Sequence, residues 1–166
     1  MKKFFYVNCI FIFLISLIAA PLSAVDFYWE NSETITKKDS RFPLSVSNGN
    51  TTAVFWQEID SANKKIWLSA QIYKENGSWR TVERFAGPFS YSGEIPDIYS
   101  AAIQPSGKIA VAVLSSVRVI SVYIYENNRD AFESVVLPQQ PQPLVAPRIY
   151  AASGNSFMLF TSLGQN

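Results

Sequence analysis

Beyond residue 40 the chain alternates apolar and polar positions with a period of two, the pattern of half-buried β-strands. Phe42, Leu44 and Val46 alternate with Ser45 and Ser47, and Asn48-Gly49-Asn50 follows as a hairpin signal, because Asn and Gly tolerate positive φ. Thr52 to Ile59 predicts a second strand with Ala53, Phe55, Gln57 and Ile59 on one face. After a polar turn over Asp60 to Lys64, Ile66, Leu68, Ala70 and Ile72 alternate with Trp67, Ser69, Gln71 and Tyr73. Glu75-Asn76-Gly77 turns the chain again, and Trp79 to Phe85 predicts a fourth, more polar strand. Gly87 to Ile95, with Gly87, Pro88 and Gly93, reads as a linker.

The same succession then returns. Ile98 to Ile103 alternates, Pro105-Ser106-Gly107 turns, and Ile109 to Leu114 is apolar at nearly every position, as suits a strand buried on both faces. Ser115-Ser116 predicts a tight connection, Val119 to Tyr125 a third strand, Asn127-Asn128 a turn, and Phe132 to Leu137 a fourth strand. Tyr73 and Tyr125, Ile72 and Ile124, Ala70 and Val122, and Leu68 and Ile120 are all 52 residues apart. Pro96-Asp97-Ile98-Tyr99 and Pro147-Arg148-Ile149-Tyr150 share a Pro-x-Ile-Tyr pattern. Four prolines from Pro138 to Pro147 lead into a third start, with strands over Ile149 to Ala152 and Phe157 to Ser162 around Ser153-Gly154-Asn155. A unit of roughly fifty residues that recurs in several strands is the mark of repeated sheets that cannot bury their faces alone. No helical periodicity follows residue 24.

The first residues differ in kind. Lys2 and Lys3, the apolar run from Val7 to Ile18 and the small residues from Ala19 to Ala24 have the layout of a secretory signal peptide. Cleavage is expected after Ala24 or Ala20, and the apolar run is shorter than the roughly 20 residues that span a bilayer. The expected organisation is a signal peptide over 1–24, a lead-in segment over 25–40, and units over 41–95, 96–146 and 147–166. The expected location is the periplasm, the cell surface or the medium. Cys9, the only cysteine, leaves with the signal, so the exported chain has neither a disulfide nor thiol chemistry. The formal charge of +1 becomes −1 without Lys2 and Lys3, and no basic patch points to nucleic acid.

Four short antiparallel strands per unit resemble a β-propeller blade. Ser40-Arg41-Phe42-Pro43 is similar to the Arg-Ile-Pro start of the first blade in sialidases. Tyr73-Lys74-Glu75-Asn76-Gly77-Ser78-Trp79 is similar to the turn of an Asp-box, with its Gly and closing Trp but without the aspartate. The second such turn, Tyr125 to Phe132, keeps its aromatic end and lacks Gly. The resemblance implies an all-β fold of antiparallel four-stranded blades, an incomplete propeller of about two and a half blades. It also implies that Arg41 is a ligand-binding arginine, whose planar fork suits a carboxylate. A sialidase further needs a tyrosine nucleophile paired with a glutamate and other arginines, which the family places in later blades.

Candidate chemistry is sparse. The chain has no His, which removes Ser-His and Cys-His nucleophiles and His-based metal sites, and no Gly-rich phosphate loop leads into a helix. Glu58 and Asp60 lie near one turn, and Glu94 and Asp97 near the start of the second unit, where they are either an acid pair or solvated loop charges. Trp56, Trp67 and Trp79 either stack on sugars or pack between sheets. Asn50-Thr51-Thr52 and Asn76-Gly77-Ser78 match glycosylation acceptors and, in a bacterial host, mean only turns.

The expectation is thus an exported, non-catalytic binding or interaction module without cofactor or metal, a truncated piece whose partner is a protein or carbohydrate. The alternative is the front piece of a sialidase-like glycoside hydrolase, inactive alone. The apolar, uncharged strand over 157–162 is expected at a sheet edge, where it recruits a copy of itself or another chain.

Overall fold

A computed structural model describes residues 39–74, 77–126 and 129–164. They fall within one compact unit, Ile35–Asn166. The expected signal peptide and nearly all of the lead-in segment lie outside the described residues. Among the described residues the chain is all-β, with ten strands: β1 (Ser40–Ser47), β2 (Thr52–Asp60), β3 (Lys65–Lys74), β4 (Ser78–Ser90), β5 (Tyr99–Ile103), β6 (Ile109–Ser116), β7 (Val119–Glu126), β8 (Ala131–Val136), β9 (Arg148–Ala151) and β10 (Phe157–Phe160). β1–β4 form one antiparallel meander, β5–β8 a second, and β9–β10 a hairpin.

The period-two pattern sorts side chains between the layers. Ala53, Phe55, Leu68, Ala70 and Ile72 of the first sheet meet Tyr99, Ile109, Val111, Val113 and Tyr125 of the second in one core. Phe55 lies at its centre, edge-on to Phe85, Tyr99 and Phe132. The other face of the second sheet, with Ala102, Ala110, Ala112 and Ile120, packs on Ile149, Phe157 and Leu159 of the hairpin. β6 therefore has apolar neighbours on both sides, which explains its unbroken apolar run, and Ile109 to Val113 are all fully buried. Each large side chain so buried stabilises the fold by about 1.5–3 kcal/mol relative to exposure.

The ladders of the three layers correspond. Phe55 pairs with Leu44, Ala112 with Ser100, and Phe160 with Arg148. Two residues earlier in the same second strands, Ala53 pairs with Val46, Ala110 with Ala102, and Met158 with Tyr150. The turns between these strands also link to one another. Asn48 Nδ2 donates to the Gln104 carbonyl at 2.9 Å, and Gln104 Nε2 donates to the Ser156 carbonyl at 2.7 Å.

Several sequence expectations shift. β4 does not stop at Phe85: the connection begins only at Tyr91, and the strand continues to Ser90, into the first part of the stretch expected as a linker. It does so by two bulges against β3, with Arg84 at φ 50° and Gly87 at φ 112°. A Cβ on Gly87 would lie 2.7 Å from the Ile66 carbonyl oxygen, so glycine permits the close approach of the two strands. Ser115 and Ser116 lie within β6, and the connection falls after them. The Pro-x-Ile-Tyr likeness does not place its tyrosines alike. Tyr99 is buried between the sheets, whereas Tyr150 is 53% exposed. The ladder instead aligns Tyr150 with Ala102.

The edge strand is shorter than expected, ending at Phe160. Leu159 faces the second sheet, while Met158 and Phe160 stand outward beside Tyr150. No helix among the described residues is long and apolar enough to cross a membrane.

Candidate functional site

The first strands of the three layers begin at one end of the molecule, and a cleft of about 170 Å³ opens there. Phe42, Pro43, Leu44, Asp97, Tyr99, Ser100 and Arg148 line it. Leu44, Ser100 and Arg148 are the three first-strand residues that occupy corresponding ladder positions. The sites of β1, β5 and β9 thus converge because the strands start side by side, not because the chain brings them together locally.

The local structure of the cleft follows from a bulge in β1 between Arg41 and Leu44. Pro43 has no N–H to give to a ladder, and bulges are where a strand tolerates it. Phe42, just before it, adopts φ 52°, which is unusual for a bulky residue. A strained residue of this kind costs on the order of 1–3 kcal/mol and persists only where its surroundings hold it. Here the Tyr99 hydroxyl donates to the Phe42 carbonyl and ties β5 to the bulge. Burial, and then the neighbouring Asp97 charge, push the Tyr99 hydroxyl well above its ordinary range. It therefore stays protonated and donates throughout the physiological range. Ser100 Oγ accepts from the Ile149 N–H at 3.3 Å, tying β5 to β9.

Two charges remain for a ligand. Arg148 and Asp97 are exposed, both line the cleft, and neither enters an ion pair among the described residues. Arg148 offers a planar donor fork for a carboxylate or phosphate, and Asp97 offers an acceptor for hydroxyl or amine.

Arg41 lies at the same end, exposed on β1 and paired across the ladder with Gln57. It does not line the cleft. Glu94 is exposed and likewise does not line the cleft, so the structure brings only Asp97 of that carboxylate pair to it. Glu58 and Asp60 part company. Asp60 caps its own turn by accepting from Asn63, which holds its carboxyl below the usual range. Glu58 is buried, accepting from Ser69 Oγ at 2.7 Å and pairing with Arg84 Nε at 3.0 Å. The Arg84 guanidinium lies 4.4 Å over the Trp67 ring. No cluster of three metal-ligating side chains occurs among the described residues.

Arg148 and Tyr99 carry most of this cleft, and sequence reasoning singled them out only through their shared Pro-x-Ile-Tyr pattern. The signal that marks Arg148 is its ladder position, which the five-residue turn after β9 sets equal to that after β5: Gln104 N–H bonds the Lys108 carbonyl and Ala152 N–H the Ser156 carbonyl.

The tryptophans divide. Trp56 is buried, Trp67 sits under Arg84, and Trp79 is 52% exposed against the Tyr73 ring. No family model matches the chain, and neither a curated protein nor a solved structure matches it. The likeness to sialidases thus rests on the residues around Arg41 and Tyr73–Trp79 alone.

Proposed function

We propose that this chain is an exported, non-catalytic binding module of β-propeller type, in which the two meanders and the hairpin are successive blades around an axis formed by β1, β5 and β9. The single observation that carries the reading is the meeting of Leu44, Ser100 and Arg148, corresponding residues of three first strands, in one cleft. Blades arranged around an axis place such residues together, and propellers use that axis for ligands. The face-to-face order of the layers supports the same reading. In this reading the cleft takes a small ligand whose anionic group is held on Arg148 and whose hydroxyl donates to Asp97.

The test is a titration of the ¹⁵N-labelled protein with glucuronate, with glucose as the neutral control. The expected result is a saturable shift of amides around Phe42, Ser100 and Arg148 with glucuronate, lost in Arg148→Ala. Equal shifts with glucose, or none with either, would remove the anion-binding part of the proposal.

A second reading is favoured by one observation. Tyr150, Met158 and Phe160 form an exposed apolar face on the hairpin, with the Tyr150 and Phe160 rings in contact. The corresponding residues of the second sheet, Ala102, Ala110 and Ala112, are covered by another layer. This face is proposed as the place of self-association. Sedimentation velocity over a concentration series is expected to show oligomers that Phe160→Glu abolishes, and a monomer at every concentration would contradict it.

A further inference from the structure

Within the chain, layers stack head to tail. The face of the first sheet that carries Ala53 and Phe55 meets the face of the second that carries Tyr99, Val111 and Val113. The other face of the second sheet, with Ala102, Ala110 and Ala112, meets Ile149, Phe157 and Leu159 of the hairpin. Among the described residues this leaves an outer face at each end of the stack, and the ladder says what each carries. Tyr150, Met158 and Phe160 stand on the hairpin where Ala102, Ala110 and Ala112 stand on the second sheet. Ser45, Thr52 and Val54 stand on the first sheet where Ile149, Phe157 and Leu159 stand on the hairpin.

The two outer faces are complementary in size. Where the second sheet meets the hairpin, three alanines receive one phenylalanine, one leucine and one isoleucine. At the two ends the order is reversed. Tyr150, Met158 and Phe160 stand out from the hairpin, each about half exposed. The first sheet offers Ser45 and Ser47, both exposed, with Thr52 and Val54 half-buried beside them. Close packing sets large side chains against small ones. The hydroxyls do not forbid burial, because Ser47 Oγ and Thr52 Oγ1 hydrogen-bond each other at 3.0 Å. In the next row Gln71 Nε2 donates to Thr81 Oγ1 at 3.3 Å. A polar group already bonded to its neighbour costs far less to bury than an unpaired one.

We infer that the hairpin face of one copy docks on the outer face of the first sheet of a second copy, head to tail, with Tyr150, Met158 and Phe160 resting on Ser45 and Val54. The inference rests on the self-association read from the hairpin and names the surface that receives it. The contact continues the stack that the chain builds twice within itself, which makes it heterologous. A hairpin-to-hairpin pair would instead set the three large side chains against one another. The contact is also built to come apart. Asn48 reaches the second turn and Gln104 the third through their side-chain amides. At the same position of the third turn stands Ala152, which repeats the backbone bond of Gln104 and has no amide to extend to a further turn. The junction between copies therefore lacks the tie that joins layers within a copy.

The experiment is oxidative cross-linking of the full chain in a Cys9→Ser background, which removes its only cysteine. Met158→Cys and Ser45→Cys are made separately, and mild copper-phenanthroline oxidation is applied to each alone and to their mixture. A disulfide-linked dimer is expected in the mixture, with about tenfold less in either variant alone, because the bond forms only between closely apposed Cβ atoms. In sedimentation velocity Ser45→Arg is expected to weaken association by about tenfold or more, since it buries an unpaired charge, and Ser45→Thr to leave it nearly unchanged. Thermal melting of each variant separates loss of the contact from loss of the fold. Met158→Cys dimers as abundant alone as in the mixture would overturn the inference while self-association stands. So would oligomers that Phe160→Glu abolishes and Ser45→Arg leaves intact. A monomer at every concentration would remove both.

Discussion

The two four-stranded sheets share strand order and pairing direction, and they differ in what their faces meet. The second sheet lies between two apolar layers, and its β6 is buried on both sides from Ile109 to Val113. The first sheet presents one apolar face to the second. On the other it carries Trp56, Trp67, Ser69 and the Glu58–Arg84 pair. The same ladder thus supports two surface chemistries, because a strand fixes which side chains share a face and not what that face touches.

The fourth strands differ in regularity as well. β4 is bulged twice at Arg84 and Gly87 against β3, whereas β8 pairs with β7 without a register shift. Where Leu114 stands in the second sheet, the first has Gln57, fully buried with neither amide atom hydrogen-bonded. The turn before the fourth strand also differs. Its last residue is left-handed in both sheets, Gly77 at φ 80° in one and Asp130 at φ 58° in the other. Aspartate is among the few residues that enter this region with little penalty, and here its side chain is held by Lys74, Arg80 and Tyr125. The missing glycine of the second turn is thereby accounted for.

The largest effect is expected where the sheets are joined. Phe55→Ala removes the ring that touches Phe85, Tyr99 and Phe132 and is expected to cost about 3–5 kcal/mol in urea unfolding. Both sheets should lose protection from hydrogen exchange together. If only the first sheet loosens, the two are not one folding unit.

Next comes the fourth-strand bulge, which only the first sheet has. Gly87→Ala forces a Cβ against the Ile66 carbonyl at an unfavourable φ, and is expected to destabilise by about 1–3 kcal/mol. Gln140→Ala, past the end of the unbulged β8, is expected to change the unfolding midpoint far less. Equal losses would erase the distinction drawn between the fourth strands.

Gln57→Leu makes the first sheet match the second at that ladder position. An unsatisfied buried amide costs on the order of 1–3 kcal/mol, so the variant is expected to melt at a higher temperature than the parent. A lower melting temperature would show that the amide has a partner in solution.

The smallest effect is expected at the ionic staple. Hydrogen bonding from Lys74, then from Tyr125, lowers the Asp130 carboxyl below its ordinary value of 3.8. The folded state therefore binds that proton less readily than the unfolded chain. The stabilisation is present above the unfolded value and is lost as pH falls through the folded one. Lys74 runs the other way, raised chiefly by its bond to Asp130, so its share is present below 10.5 and is lost as pH climbs through the folded value. The melting temperatures of parent and Asp130→Asn are expected to differ near neutrality and to converge at about pH 2. A constant difference across that range would assign the effect to the backbone turn instead.

Much of the fold was legible in the sequence. Alternation placed Ala53, Phe55 and Gln57 on one face of β2, and the continuous apolar run placed β6 in the middle. The extension of β4 was not legible, because Gly87-Pro88 has the local chemistry of a break and only the packing of β3 shows that the strand passes through it. The third start was mispaired for a related reason. Pro-x-Ile-Tyr matches in letters, while the turn that follows sets the register. For the cleft, Asp97 was visible as a charge near the start of a strand. Arg148 gained meaning only from the strand beside which it folds, a relation over long sequence separation that no local pattern contains.

The most direct test of the central claim, that the layers stack face to face with their first strands side by side, is a nuclear Overhauser experiment on selectively labelled protein. Cross-peaks are expected from the Tyr99 ring to Phe42 and from the Phe55 ring to Phe132, joining β1 to β5 and β2 to β8. If each sheet shows its own ladder contacts and neither of these links is present, the stacked arrangement and the cleft built on it are wrong.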